Sequence, residues 1–134
     1  MEGKGNPCIC IENHEVFTSN ITNSLKVQAE LALNEAKIKH ESFEVPGVFE
    51  IPVVISKNID MYDGFLALGC VIKGETPHFD FISSASTQAI MRLSVDFKKP
   101  IGNGIITCLN IRQAKARGKK GKEAAKAVIS VLDQ

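Results

Sequence analysis

The side chains with chemistry to offer lie in two places in this 134-residue chain. The first is Gly74-Glu75-Thr76-Pro77-His78. Thr76 followed by Pro77 reads as a helix cap and first helical position. His78 then falls in the first helical turn, beside backbone N–H groups with no partner inside the helix. Such a helix start receives anions, and an imidazole there can move protons near neutral pH. Gly74, Glu75 and Thr76 form a turn whose N–H groups could cradle a phosphate. The second place is Arg117, whose planar fork suits the same anion. Against this stands a plainer reading, in which His78 is a structural helix-start residue and Arg117 a solvated cation.

The elements that must position these groups follow from hydrophobic spacing. Phe65 to Ile72 is apolar without alternation, as in a strand covered on both faces. Cys8 to Ile11, Ser42 to Val45 and Ile105 to Leu109 read as further strands, with Gly102-Asn103-Gly104 leading into the last. Glu12-Asn13-His14-Glu15 reads as a break at the end of the first strand. Helices are expected over about 19–39, 51–59, 76–97 and 121–132, with a short one capped by Asn110 and ending near Arg117. Strands alternating with helices predict a parallel sheet between helical layers. Four strands leave two edges, and edges invite pairing with another chain. An oligomer is therefore expected, with residues 1–7 as a loose arm able to cover an edge.

Composition removes several classes. A formal net charge of +1, no Trp and one Tyr argue against nucleic acid or a membrane surface. No stretch reaches transmembrane length, nor does any segment read as a signal-peptide core. With 44% hydrophobic residues, the chain is expected to be one globular domain, residues 1–134. Cys8, Cys10, Cys70 and Cys108 show no zinc-ligand spacing and read as small buried hydrophobes of a reducing cytoplasm. No metal and no cofactor are expected.

Three strings carry a resemblance. Gly69 to Asp80, Val45-Pro46-Gly47-Val48-Phe49-Glu50-Ile51-Pro52 and Lys120-Gly121-Lys122-Glu123-Ala124-Ala125 resemble, in order, signatures of the lumazine synthase family of riboflavin biosynthesis. The resemblance implies a three-layer α/β/α sandwich around a four-stranded parallel sheet with flavodoxin-like topology. It implies condensation of 5-amino-6-(D-ribitylamino)uracil with 3,4-dihydroxy-2-butanone 4-phosphate to 6,7-dimethyl-8-ribityllumazine. It also implies sites shared between neighbouring subunits of a homopentamer or a multiple of pentamers. By the same resemblance His78 transfers protons, and Gly74, Glu75, Thr76 and Arg117 bind phosphate. Val48, Phe49 and Glu50 would hold the ribityl chain, while Cys70, Val71 and Ile72 run beside the pyrimidine. Lys120 and Glu123 would reach the ligand from a neighbour. Three departures stand out. His14, or else Phe17, occupies the place of a stacking Phe. Asn103 stands where many members carry an aromatic residue. The segment from Arg117 to Lys120 is short. A non-enzymatic lumazine or flavin binder of the same fold is the alternative.

Overall fold

The computed structural model describes residues 6–13, 19–74 and 77–134. Four parallel strands form the sheet: β1 (Asn6–Asn13), β2 (His40–Val45), β3 (Tyr62–Ile72) and β4 (Ile101–Cys108), in the order β2-β1-β3-β4. Five helices accompany them: α1 (Ser19–Glu35), α2 (Ile51–Lys57), α3 (His78–Phe97), α4 (Ile111–Lys115) and α5 (Lys120–Leu132). This is the three-layer α/β arrangement with flavodoxin-like topology.

The apolar run of β3 serves both faces because consecutive side chains point opposite ways. Phe65 and Ala67 join Ile11, Ile51, Ile55 and Ile90, which is the α2–α3 layer. Leu66 and Leu68 join Cys8, Ala29, Leu33, Ala124 and Val128, which is the α1–α5 layer. Cys70 and Cys108 pack with Ile21, Leu25 and Ile106. Tyr62 ties β3 to the outer strand β2 by donating from Oη to Glu41 Oε1 at 2.5 Å.

Several boundaries differ from the sequence expectation, each for a local reason. Helix α1 stops at Glu35 because Lys37 turns left-handed (φ 58°) and Ile38 N donates back to Leu33 O at 2.9 Å. That closure frees His40 to begin β2. Asn6 and Pro7 belong to β1, a central strand paired on both sides, and not to a loose arm. Gly102-Asn103-Gly104 lies inside β4. Each glycine has a close neighbour, α5 at Gly102 and β3 at Gly104. A Cβ on Gly102 would sit 2.5 Å from Ala124 O, and one on Gly104 would sit 2.7 Å from a Leu68 methyl. Pro77 is the cap of α3 and His78 its first residue, because Pro77 O accepts the first bonds, from Asp80 N and Phe81 N.

The chain leaves β1 for β2 on one side and reaches β3 on the other. In open α/β sheets that reversal opens a crevice at the C-terminal ends of the strands.

Candidate functional site

Two clefts contain the described site residues expected from sequence. The first, of about 900 Å³, lies at the crevice. Its floor is the end of β3 at Cys70, Val71 and Ile72, and Gly74 and His78 form one wall. The opposite wall is Val48-Phe49-Glu50, a single 3-10 turn. Pro46-Gly47 ends β2 and forces the turn. Val48 is buried and anchors it, while Phe49 stays 60% exposed at the rim. The Glu50 carboxylate folds back over Gly47, where an added Cβ would lie 3.1 Å from Oε1. His78 is exposed at the start of α3. The cleft therefore offers an apolar slot for a flat ring, a carboxylate for hydroxyl groups, and an imidazole at the mouth.

The second cleft, of about 620 Å³, lies along the outer strand β4. Asn103, Thr107, Arg117, Lys119, Lys120 and Glu123 line it. Asn110 caps α4 by accepting from Gln113 N at 2.9 Å, and Gln113 Oε1 in return accepts from Leu109 N at 2.8 Å. This reciprocal cap fixes where α4 begins, and hence where its last turn delivers Arg117. Arg117 Nη1 points back to Thr107 O at 3.4 Å. Lys120 Nζ stands 3.7 Å from Glu123 Oε1, one turn along α5. Asn103 Oδ1 accepts from Ile105 N at 3.0 Å, which leaves its amide N–H groups as donors.

Among the described residues the two clefts share no lining residue. Gly74 and Arg117, which hold a single phosphate in the sequence reading, line different clefts of one subunit, and His78 lies with Gly74. His14, Phe17, Glu75 and Thr76 lie outside the described residues.

A match to a family profile covers residues 14–134 and is described as 6,7-dimethyl-8-ribityllumazine synthase. The chain belongs to this family. The curated 6,7-dimethyl-8-ribityllumazine synthase of Agrobacterium fabrum is 41% identical over 129 residues, covering 87% of each chain. That of Corynebacterium kroppenstedtii is 37% identical over 147 residues, covering 96% of this chain and 92% of its own. A solved chain described as a lipoprotein fragment from Peptoclostridium difficile 630 superposes with a TM-score of 0.54 at 10% identity. It covers 95% of this chain and 99% of its own, and speaks to the fold alone.

This lumazine synthase family member carries one charged group that sequence reasoning missed. Glu12 does not break β1 but ends it from inside, only 4% exposed, with Lys26 Nζ 3.5 Å from Oε1 and, among the described residues, no hydrogen-bond partner for Oε2. The available signal was alternation: Cys8 and Glu12, four residues apart on a strand, share one face. Among the described residues no cluster of His, Cys, Asp and Glu could hold a metal, and no helix is long and apolar enough to cross a membrane.

Proposed function

We propose that the chain condenses 5-amino-6-(D-ribitylamino)uracil with 3,4-dihydroxy-2-butanone 4-phosphate, giving 6,7-dimethyl-8-ribityllumazine, phosphate and water. Family membership supports the reaction. The observation that carries the site assignment is the crevice that gathers Val48, Phe49, Glu50, Cys70, Val71, Ile72, Gly74 and His78.

In this reading the pyrimidine lies along Cys70-Val71-Ile72, held mainly by backbone groups, and the ribityl hydroxyls meet the Val48–Glu50 turn. The 5-amino group adds to the ketone and water leaves, forming an imine. Loss of phosphate and attack by the ribitylamino nitrogen then close the second ring, with loss of water. His78 accepts and returns protons in these steps. Glu75, Thr76 and Gly74 supply N–H groups to the phosphate, and Arg117 supplies its fork. Most of the acceleration comes from holding two reactants in contact. His14 or Phe17 covers the ring.

We further propose that the working site forms between subunits. The Asn103–Arg117–Lys120–Glu123 cleft of one protomer completes the His78 cleft of the next. This head-to-tail pairing closes into a ring, and a pentamer is the proposed ring. The outer face of α3 supports it: Phe81, Met91 and Val95 recur along the helix and are 67%, 62% and 65% exposed. A cytoplasmic location suits such a biosynthetic role.

The test is to mix both substrates with the purified protein and follow the growth of lumazine fluorescence and the release of phosphate. Product formation supports the enzyme reading. Ligand binding without product supports the non-enzymatic binder.

A further inference from the structure

The charges of this chain are unevenly placed. Residues 112–126 hold seven Lys and Arg and a single acid, Glu123, whereas the other 119 residues hold nine cations and fourteen anions. All seven cations are exposed. Arg112, Lys115, Lys119, Lys122 and Lys126 form no ion pair among the described residues. Lys119, Lys120 and Lys122 stand at the start of α5, where the positive end of the helix dipole repels them. Stability alone favours acids there. The cleft with Arg117 opens within this basic stretch.

Four of the cations do not line that cleft: Lys126 lines a separate hollow beside Ala36 and Ile129, and the other three are Arg112, Lys115 and Lys122. They lie on the two helices flanking the Arg117–Lys120 turn. We propose that Arg112, Lys115 and Lys122 form an electrostatic collar that concentrates a phosphorylated substrate at the Arg117 cleft without touching it. The inference rests on the reading above that Arg117 takes the phosphate. Its consequence is a division of labour. Contact residues set how the phosphate is held, and the collar sets how often it arrives. Like-signed charges around one opening raise the local concentration of a counter-ion, and salt screens the effect beyond about 10 Å at 0.1 M. Each collar charge is expected to change the apparent affinity for a phosphate dianion by about twofold at low salt. An uncharged substrate is unaffected.

The test compares the wild-type oligomer with an R112Q/K115Q/K122Q variant, at ionic strengths from low to high. The KM for the butanone phosphate should rise about eightfold at low salt. The kcat and the KM for the uncharged ribitylaminouracil should not change, and the two proteins should converge at high salt. Lys57→Gln, at the end of α2 in the other helical layer, should leave every constant unchanged. Equal salt slopes for the triple variant and wild type would overturn the collar. So would a parallel rise in the pyrimidine KM, which signals disturbed structure, or an equal effect of Lys57→Gln, which signals net charge alone. Should the wild type not turn over, the reaction reading fails, and the collar is judged by calorimetric titration with inorganic phosphate. A several-fold weaker low-salt affinity in the triple variant sustains it, and equal affinity rejects it.

Discussion

Glu12 buries its carboxylate against Lys26, 3.5 Å away, at the C-terminal end of a central strand. Burial pushes the Glu12 carboxyl above its ordinary 4.5; Lys26 opposes that rise, while Glu44 and Glu30 add to it. A raised native value means the folded state holds its proton more tightly than the unfolded one. Stability from this group is then complete below pH 4.5 and is lost as pH climbs through the native value. Wild type should therefore lose stability relative to Glu12→Gln as pH moves from 4 toward 7. Urea midpoints for both proteins across that range check the sign. An opposite slope would mean that the ion pair outweighs the burial.

Gly121 sits in the string that resembles the family's last helix, yet its role is packing. A Cβ there would fall 2.0 Å from the carbonyl oxygen of Leu25 on α1. Backbone cannot yield to backbone without parting the two helices. Gly121→Ala should cost about 3 kcal/mol in urea unfolding, despite the better helix propensity of Ala.

The two clefts predict distinct kinetic signatures. His78→Ala should lower kcat, by about a hundredfold, with little effect on either KM. Arg117→Ala should instead raise the KM for the phosphorylated substrate by about 10- to 100-fold, as expected for a lost charged hydrogen bond. Steady-state kinetics with each substrate varied in turn separates the two.

A shared site also predicts rescue. Unfolding His78→Ala and Arg117→Ala chains together and refolding them should restore activity, because about one interface in four joins two intact halves. If each subunit held a complete site, the mixture would show only the average of its parts.

Met91 and Val95 on the outer face of α3 provide the assembly test. M91E/V95E should sediment as a smaller species than wild type and lose turnover, while its circular dichroism remains native. An unchanged sedimentation coefficient would place the ring contact elsewhere.

Much of this is legible in the sequence. The unbroken apolar run of β3 has one physical solution, a strand buried on both faces. Asn110 announces α4 because a short side-chain acceptor before a helical pattern has few other uses. The Val48–Glu50 turn, the end of β3 and His78 come together because consecutive strands end at the same edge of the sheet. What escaped was long-range. Gly102 and Gly104 read as a lead-in to the last strand, and only the approach of α5 to Gly102 and of Leu68 to Gly104 explains them inside it. Lys37 gives no hint of its left-handed backbone. Glu12 looks like a loop residue until Lys26 is seen beneath it. No spacing in the chain could announce that His78 and Arg117 would line separate clefts, since that depends on how the layers fold around the sheet.

The turn between α4 and α5 has one more implication. Lys120 N donates to Arg117 O at 3.0 Å, so the guanidinium and the ammonium ride on a single stiff spacer. One inserted residue in the turn would change the spacing of Arg117 from Lys120, because the packing of Gly121 against Leu25 holds α5 in register. The turn thus works as a caliper, and its span limits the length of any molecule gripped at both jaws.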